Sequence, residues 1–542
     1  MTNEKTRSGD TLSYWMEVSP FYPLDGERKA LWDVCVIGAG ITGLTVAYEL
    51  CKEGKSVVIL DMGPVGGGET GRTSAHLSWA IDNRFSQMVK LHGQEKTALL
   101  AQSHRDAIAH IQSIALNENI SCDFSTVPGY LICEEGHSKG HWDQLMEEVS
   151  ASHQIGQSLV HQTTLDWWRY PLKGVVEFPE QGQFHPVKYI NGLAHAIERM
   201  GGRIYTYHKV VDVLDSDLKT GQPARVELAD GNFVNADSVV VATNTPINDR
   251  FMIHTKQAAY RSYVVGAKIP KGSFANCLVW DMAEPYHYLR LIAQDSFTDF
   301  DVLLVGGEDH RTGQDDRPQK RFENLENWVR ERFPHLDSFV HHWSGQIFEP
   351  VDGIGFIGKN PGDQSIYIST GDSGHGLTTG TIAGLLVTDL IMGRKSLWQE
   401  LYDPSRVTLG STMNFLKENL NVAFQYADYL TGSEREDIDR IPYGEGAVLG
   451  RGFQKVAIYK NDRGQTTELS PVCSHLGGIV HWNSVEKSWD CPCHGARFSA
   501  EGQVICGPAV QPLEPIGTDP RAGQNHEALI DMRDVGSPNA LT

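Results

Sequence analysis

Two Cys–His pairs near the C-terminus constrain this chain more than any other feature of its sequence. Cys473 and His475 form the first pair, and Cys491 and His494 form the second after 15 intervening residues. Two thiolates and two imidazoles on separate loops can hold a [2Fe–2S] cluster, in which the cysteines bind one iron and the histidines the other. The same set also suits a tetrahedral structural zinc ion. The spacing therefore predicts a metal centre in this part of the chain.

A glycine-rich turn near the N-terminus indicates a dinucleotide site. An apolar segment that begins at Asp33 predicts a buried strand, and the turn that follows it opens a helix. Glycines there let the backbone approach a pyrophosphate, and the helix N-terminus offers N–H groups to it. A carboxylate at the end of the second apolar strand can accept from ribose hydroxyls, and NAD and FAD both fit. The predicted contact residues are Gly38, Gly40, Ile41, Thr42, Gly43 and Asp61.

The composition indicates a folded protein of several domains. The chain has 542 residues, of which 40% are hydrophobic and 21% charged, whereas one domain usually takes about 100–200 residues. Its formal charge of −21 opposes binding to polyanions, which excludes nucleic acids and anionic membranes as main partners. No apolar run reaches the roughly 18 residues of a membrane span, and the N-terminus does not resemble a secretory signal. Because the nine cysteines favour metal binding over disulfides, we expect a cytoplasmic protein.

Sequence patterns divide the chain into unequal parts. Strand and helix patterns alternate without a clear linker and predict one interleaved α/β body with a mixed sheet over residues 1–395. Residues 396–440 predict a linker that contains a helix from Asn414 to Leu430. Short strands separated by Gly and Asp turns predict a small all-β domain over residues 441–531, and residues 532–542 are expected to form a tail.

The C-terminal motifs resemble the Rieske family. The stretches that carry the resemblance are Cys473-Ser-His-Leu-Gly-Gly478, Trp489-Asp-Cys-Pro-Cys-His-Gly-Ala-Arg-Phe498 and Gly507-Pro-Ala509. They stand where that family has its two ligand loops and its proline loop. The resemblance implies a [2Fe–2S] cluster, rather than zinc, held by Cys473, His475, Cys491 and His494.

Three positions depart from the high-potential members of the Rieske family. Gly478 stands where many of them have a second cysteine, so Cys493 lacks the corresponding disulfide partner. Ala496 and Phe498 replace a serine and a tyrosine whose hydroxyls contact the cluster sulfurs in those members. A cluster with fewer hydrogen-bond donors to its sulfurs is less stabilised in its reduced form. We therefore predict a low to intermediate Rieske potential, and a redox titration with a value in the high-potential respiratory range would refute this.

The larger body resembles the D-amino-acid-oxidase and glycine-oxidase superfamily. The resemblance is carried by Gly66-Gly-Gly-Glu-Thr-Gly71-Arg-Thr-Ser, Phe184-His-Pro186, Ala236-Asp-Ser-Val-Val-Val-Ala-Thr243, Pro350-Val-Asp-Gly-Ile-Gly-Phe-Ile-Gly358 and Ser369-Thr-Gly371-Asp-Ser-Gly-His-Gly376. It implies FAD rather than NAD, with FAD-binding segments at about 32–90, 185–250 and 345–395 and substrate-domain segments at about 91–184 and 251–344. The further FAD contacts that it implies are Gly71, Arg72, Thr73, Val210, Ala242, Thr243, Gly371, Gly374, Gly376, Leu377 and Thr378.

The resemblance also suggests roles for several individual residues. The candidates for the substrate face are His375, Tyr263, Tyr288 and Arg290, of which the arginine could bind a carboxylate with two hydrogen bonds. A structural role is the alternative for each. Arg72 could pair with flavin phosphates or cap a helix. His76 lies near the position at which some amine dehydrogenases of the superfamily bond the flavin covalently.

Together the motifs most closely resemble bacterial FAD-dependent oxidoreductases that carry a C-terminal Rieske domain. This implies an enzyme that oxidises a C–N bond of a small amine or amino acid and passes electrons through the cluster to a protein or quinone acceptor. Two alternatives stay open. One is a reductase or electron-transfer component that receives electrons from a donor, and the other is a redox sensor without turnover of an organic substrate.

Overall fold

The structure is a computed structural model. It describes residues 8–24, 29–136, 139–217, 219–248, 253–315, 317–408, 412–425, 438–451 and 454–516. The helices are α1 (Ile41–Lys52), α2 (Phe85–His92), α3 (Gln94–Asn117), α4 (Lys139–Gln154), α5 (Pro186–Arg199), α6 (Gln319–Arg332), α7 (Gly376–Ile391), α8 (Gln399–Tyr402) and α9 (Thr412–Gln425). The strands of the body are β1 (Trp32–Ile37), β2 (Val57–Leu60), β3 (His76–Leu77), β4 (Ser125–Glu134), β5 (Val160–Gln162), β6 (Leu172–Gln183), β7 (Arg203–Tyr205), β8 (Val210–Leu214), β9 (Ala224–Leu228), β10 (Phe233–Val241), β11 (Gln257–Pro270), β12 (Leu278–Asp281), β13 (His287–Ile292), β14 (Phe300–Arg311), β15 (Phe339–Pro350), β16 (Phe356–Lys359) and β17 (Ile366–Thr370). Those of the C-terminal part are β18 (Glu445–Arg451), β19 (Gln454–Lys460), β20 (Thr466–Leu469), β21 (His481–Asn483), β22 (Ser488–Asp490), β23 (Arg497–Ser499) and β24 (Val504–Cys506).

The first sheet of the body has the strand order β16-β17-β10-β1-β2-β7, with β8 and β9 attached at β10. β1 pairs in parallel with β2 and β10, and β10 pairs in parallel with β17. All four residues of β2 are apolar and buried, as expected for a strand of a parallel sheet that is covered on both faces. The carboxyl ends of these parallel strands therefore meet at one edge of the sheet.

Two helices lie against each other beside that edge. α1 follows β1, α7 follows β17, and glycines of α7 face threonines of α1. A Cβ at Gly380 would lie 2.6 Å from Thr42 Oγ1, and one at Gly384 would lie 2.4 Å from Thr45 Cγ2. Because only glycine permits this approach, the N-termini of the two helices come to the same edge of the sheet.

The second sheet has the order β15-β11-β14-β13-β12-β4-β6-β3, with β5 beside β6. Its neighbours are antiparallel except for β4 and β12, which are parallel. The chain enters this sheet twice, over β3–β6 and over β11–β15. β3 and the end of β15 reach beyond the segments 91–184 and 251–344 that the sequence predicts for this sheet.

The C-terminal part consists of two small antiparallel sheets, β18-β19-β20 and β21-β22-β23-β24. Trp489 and Phe498 are fully buried between them. The predicted fold class, a mixed α/β body followed by a small all-β domain, is confirmed. α9 covers most of the predicted linker helix, whereas residues 426–437 and the predicted tail lie outside the described residues. None of the helices in the described residues is both long and apolar enough to cross a membrane.

Candidate active site and cluster site

A cavity of about 1340 Å³, part of which is open solvent, follows the edge at which β1, β2 and β10 end. We call the part beside these strands the nucleotide end, and the part lined by Ser262, Trp280 and Tyr288 of the second sheet the sheet end. The predicted cofactor-binding residues that line the cavity are Gly38, Gly40, Ile41, Thr42, Asp61, Arg72, Thr73, Ala242, Thr243, Gly374, Gly376 and Leu377. The sequence motifs therefore converge on one space.

The glycine-rich turn needs its glycines for close packing. Gly38 has a φ of 109°, and a Cβ there would lie 2.5 Å from the carbonyl oxygen of Ala242. A Cβ at Gly43 would lie 1.9 Å from the carbonyl oxygen of Gly38. The turn thus brings backbone N–H groups and the start of α1 to the cavity, which fits the pyrophosphate of FAD.

Asp61 lies between the glycine-rich turn and the loop that follows β2. Its Oδ2 accepts a hydrogen bond from Ala39 N at 2.7 Å, and its Oδ1 accepts one from Gly63 N at 2.8 Å. The carboxylate therefore holds the turn in place while it lines the cavity. A carboxylate oxygen has two acceptor sites, so the predicted contact with a ribose hydroxyl stays compatible with these bonds.

Four predicted FAD contacts do not line the cavity, but they hold the backbone of the segments that line it. A Cβ at Gly71 would lie 2.5 Å from the carbonyl oxygen of Gly66, and Gly371 has a φ of 73°. Gly43 permits the tight turn described above. Thr378 Oγ1 lies 2.8 Å from His104 Nδ1 and donates to the carbonyl of His375 at 3.2 Å, so it fixes the loop that precedes α7.

Val210 lines a second, smaller cavity of about 470 Å³. This cavity shares Gly38, Asp61 and Thr243 with the larger one, so it continues the nucleotide end. Its opposite wall comes from the C-terminal domain and consists of Val504, Gly507, Ala509 and Val510. The sequence motifs of the body alone could not indicate that the all-β domain helps to enclose this end.

Tyr288 lines the sheet end and His375 lines the same cavity, and a role of either residue at the substrate face stays a prediction. His375 Nε2 is 3.1 Å from the backbone nitrogen of Asp82 and 3.4 Å from its Oδ1. Burial lowers the pKa of His375, but the charge of Asp82, the hydrogen bond to Asp82 and the charge of Asp372 together outweigh burial and raise the pKa above its ordinary value. The Tyr288 hydroxyl shares a hydrogen bond of 2.9 Å with Ser262 Oγ.

Tyr263 and Arg290 do not face the cavity, which corrects the sequence prediction. Side chains alternate along a strand, and on β11 it is Ser262 and Val264 that line the cavity. Tyr263 packs on the other face, with its hydroxyl 2.9 Å from His310 Nε2. Arg290 donates to the carbonyls of Ala75 and Phe184 at 2.7 and 3.2 Å, so its guanidinium braces backbone segments and is not placed to bind a substrate carboxylate.

The guanidinium of Arg72 is directed towards the C-terminal domain. It donates to Glu486 Oε1 at 3.0 Å and to the carbonyl of Ser344 at 2.8 Å. Arg261 approaches the same Glu486 oxygen at 3.2 Å, and all three charged side chains are fully buried. Burial raises the pKa of Glu486, but the charges of Arg72, Arg261 and Arg497, with the hydrogen bond from Ser344, together outweigh burial and lower the pKa to about 2. The predicted phosphate contact of Arg72 is thus replaced by an ion pair between the domains.

His76 lines the cavity with both ring nitrogens in hydrogen bonds. Nδ1 is 2.9 Å from Ser74 Oγ and Nε2 is 3.1 Å from the carbonyl oxygen of Leu289. A covalent bond to flavin would have to replace one of these contacts, and the covalent hypothesis stays a prediction.

The four predicted cluster ligands come together at one end of the C-terminal domain. Cys473 and Cys491 are both buried in the core of this domain, and the rings of His475 and His494 have centroids 5.2 Å apart. Nδ1 of His494 is buried and has no hydrogen-bond partner among the described residues. Two sulfurs on one side and two imidazoles on the other fit a [2Fe–2S] cluster of the Rieske type, with one pair for each iron.

The first ligand loop leaves no room for a side chain at position 478. A Cβ at Gly478 would lie 2.5 Å from Cys493 Sγ and 3.1 Å from Cys491 Sγ. Ala496 and Phe498 are fully buried beside the ligands. The three positions that motivate the prediction of a low to intermediate potential therefore all lie at the cluster site.

The cluster site faces the flavin body rather than open solvent. Gln346 of β15 lines the large cavity and donates through Nε2 to the carbonyl of Gly495 at 2.8 Å, directly after the ligand His494. The ring of His254, from the segment before β11, lies 5.0 Å from that of His475 and 6.0 Å from that of His494. No local sequence pattern indicates these contacts, because they join segments far apart in the chain.

Comparison with protein families agrees with both sites. A family model described as FAD dependent oxidoreductase matches residues 33–390. The chain belongs to this family. A second model, described as Rieske [2Fe-2S] domain, matches residues 436–517. This oxidoreductase therefore combines an FAD-binding body with a Rieske domain, and both predicted cofactors are confirmed.

Known relatives share the whole architecture or its parts. The putative Rieske 2Fe-2S iron-sulfur protein YhfW of Bacillus subtilis (strain 168) is 27% identical over 96% of this chain and 100% of its own. The gamma-glutamylputrescine oxidoreductase of Escherichia coli (strain K12) is 25% identical over 71% of this chain and 89% of its own. A crystal structure of glycine oxidase from Geobacillus kaustophilus covers 70% of this chain and 100% of that chain, with a TM-score of 0.58 at 18% identity. The last similarity shows the fold of the body.

Proposed function

We propose that this oxidoreductase oxidises a C–N bond of a small amine or amino-acid-like substrate and passes the electrons through its cluster to an external one-electron acceptor. The α C–H bond breaks as a hydride leaves, the nitrogen lone pair forms a C=N bond, and water hydrolyses the iminium to a carbonyl compound and an amine. FAD held in the large cavity would supply the hydride acceptor, and a cluster held by Cys473, His475, Cys491 and His494 would supply a one-electron carrier. Relatives described as gamma-glutamylputrescine oxidoreductase and glycine oxidase support this reaction class.

The contact of Gln346 carries the electron-transfer part of the proposal. One side chain both lines the cavity and donates to the loop that holds a cluster ligand. Gln346 is 1% exposed, so water is excluded from this contact. A short protein bridge between the two cofactor sites favours transfer within one molecule over transfer between molecules.

The buried ion pairs of Glu486 support a fixed position of the cluster domain. Glu486 lies in the C-terminal domain, whereas Arg72 and Arg261 lie in the body, and separating the domains would expose three charges that now compensate one another. Thr11, from the segment before β1, also donates to Glu486 Oε1 at 2.7 Å. Such an interface favours a permanent electron path over a domain that swings between partners.

We place the docking site of the acceptor, a protein or a quinone, at the outer face of the first ligand loop. Ser474 is exposed and His475 is half-buried, so this loop reaches the surface next to a cluster ligand. A cytoplasmic location belongs to the same proposal. It is supported by the nine cysteines, none of which forms a disulfide.

Anaerobic mixing tests the reaction and the order of electron flow. The enzyme is mixed with a panel of amines and amino acids, flavin bleaching is followed by absorbance, and the reduced cluster is then detected by electron paramagnetic resonance. We expect bleaching first and the cluster signal second. The proposal fails if no member of the panel bleaches the flavin, or if NADH alone does so rapidly and the cluster then becomes reduced.

A further inference from the structure

The sheet end of the cavity is rich in carboxylates. Asp82 and Asp372 line it, and a Cβ at Gly374 would lie only 2.7 Å from Asp82 Oδ2. Asp309 stands directly behind the lining, where its Oδ2 accepts a hydrogen bond of 3.3 Å from the Tyr286 hydroxyl. The Oδ1 atoms of Asp309 and Asp372 are buried without a partner at good hydrogen-bond geometry among the described residues, although Ser262 and the Gly374 backbone lie close enough to lower the pKa of Asp309 and Asp372, respectively. These two carboxylate oxygens can therefore accept a hydrogen bond from a bound ligand.

These carboxylates lie close enough to affect one another. Burial, with the charge of Asp82 adding to it, raises the pKa of Asp309 to about 7. Burial followed by the charges of Asp309 and Asp82 raises the pKa of Glu349 to about 8. Burial also raises the pKa of Asp372 to about 6. A positively charged group at this end would relieve the repulsion.

The cations of the chain do not provide a carboxylate-binding group here. Among the described residues the cavity lining contains no lysine and one arginine, Arg72, whose guanidinium is held by Glu486. Arg84 donates to the carbonyl of Asp281 at 3.3 Å, and Arg321 pairs with two carboxylates outside the lining. His375 is already beside Asp82. An α-amino acid would bring its own carboxylate into this group of acids without an arginine to receive it.

Aromatic rings complete the sheet end. Tyr286, Tyr288, Trp280 and His76 all line it. The Tyr286 and Tyr288 rings are 5.9 Å apart, and His76 lies 5.5 Å from Tyr288 and 6.1 Å from Trp280. The faces of tyrosine and tryptophan attract ammonium groups, and aromatic walls with nearby acids are a recurring recognition site for alkylammonium ligands.

We propose that the sheet end binds an alkylamine as its ammonium cation, which gives up a proton to one of these carboxylates before the hydride leaves, and that the substrate carries no carboxylate on the carbon next to the nitrogen. This rests on the proposed function and narrows its substrate class from amines or amino acids to amines. The carboxylates attract the cation, the aromatic rings cover its alkyl part, and an α-carboxylate is repelled.

Binding of two molecules that cannot be oxidised tests the proposal separately from turnover. tert-Butylamine and α-aminoisobutyrate both lack a hydrogen on the carbon next to nitrogen, and they differ in one methyl group against one carboxylate. Their dissociation constants are measured on the oxidised holoenzyme by flavin difference spectra and calorimetry. We expect tert-butylamine to bind at least about tenfold more tightly, as expected for a charge-assisted contact. Equal binding, or tighter binding of α-aminoisobutyrate, would overturn the proposal.

Matched variants test whether Asp82 and Asp309 cause the preference for tert-butylamine. Asp82→Asn and Asp309→Asn each remove one acidic group, and we expect each to weaken tert-butylamine binding by about tenfold. Glu308→Gln is the control, because Glu308 adjoins Asp309 on β14 but contacts Arg321 and Asn324 instead of the lining. The proposal is wrong if both aspartate variants, with a flavin spectrum like that of the parent, keep the parent dissociation constant.

Pairs of amines and amino acids that can be oxidised test the proposed substrate class separately from the proposed reaction. Isobutylamine and valine, and pyrrolidine and proline, each differ by one α-carboxylate, and their rates of anaerobic flavin reduction are compared. Faster reduction by the amines supports both proposals, whereas faster reduction by the amino acids overturns the substrate class and keeps the reaction. If no compound reduces the flavin, the proposed reaction fails, and the tert-butylamine measurement alone decides the binding preference.

Discussion

Glu349 illustrates at the scale of one residue how the acidic end of the cavity affects stability. Its carboxyl group lies near Asp309 and Asp82, and burial together with these charges raises its pKa from 4.5 to about 8. The folded protein therefore holds this proton at pH values at which the unfolded chain has released it. The resulting loss of stability is absent below about pH 4.5, grows between pH 4.5 and 8, and is complete above pH 8.

We expect Glu349→Gln to be more stable than the parent at pH 8.5, by at least about 1 kcal/mol, and to show little gain at pH 5. The amide cannot ionise, so the cost of charging a buried acid disappears. Thermal unfolding across this pH range measures the effect. Glu323→Gln, at an exposed position of α6, serves as the control, and a gain for Glu349→Gln that is the same at both pH values would contradict the explanation.

At the scale of elements, the sequence predicts motifs well and side-chain directions poorly. The cluster ligands and the glycine-rich turn are short local motifs, so their geometry follows from neighbouring residues. Tyr263 and Arg290 required the register of the second sheet, because moving by one residue on a strand moves a side chain to the opposite face. The roles of Arg72 and Gln346 depend on a contact with the C-terminal domain, for which the sequence carries no local signal.

The turn between β1 and α1 permits a direct test at this scale. We expect Gly38→Ala to lose bound FAD, because its Cβ would lie 2.5 Å from the Ala242 carbonyl oxygen at a φ of 109°. Gly54→Ala is the matched control, since Gly54 also has a positive φ of 79° but no atom within 4 Å of its Cβ position, and it should cost only about 1 kcal/mol of stability. Flavin content after purification distinguishes the two variants, and equal flavin content would refute the role of close packing.

For the molecule as a whole, the buried contacts of Glu486 hold the two parts together. Glu486→Gln would leave Arg72 and Arg261 without their shared carboxylate, and removal of one partner from a buried ion pair costs about 3–5 kcal/mol. Glu147→Gln breaks an exposed pair with Lys90 and should cost less than about 1 kcal/mol. Urea unfolding followed by flavin fluorescence measures both. Similar costs for the two variants would show that the network does not stabilise the docked arrangement.

The electron path is the property that depends on both domains at once. We expect Gln346→Leu to leave flavin reduction by substrate unchanged and to slow the later appearance of the reduced cluster, because it removes the hydrogen bond to Gly495 but keeps the packing volume. Rapid mixing followed by absorbance and electron paramagnetic resonance separates the two steps.

Gln314→Leu is the control that distinguishes an electron-transfer path through Gln346 from a role of such hydrogen bonds in positioning the cluster loop. Gln314 also donates to the cluster loop, at the carbonyl of Pro492 at 3.3 Å, but it does not line the flavin cavity. If both variants slow cluster reduction equally, the two hydrogen bonds act only by fixing the loop. A selective effect of Gln346→Leu would assign the transfer to a side chain that contacts both the flavin cavity and the cluster loop. Electron transfer would then depend on the position of the Rieske domain as well as on the chemistry of the flavin body.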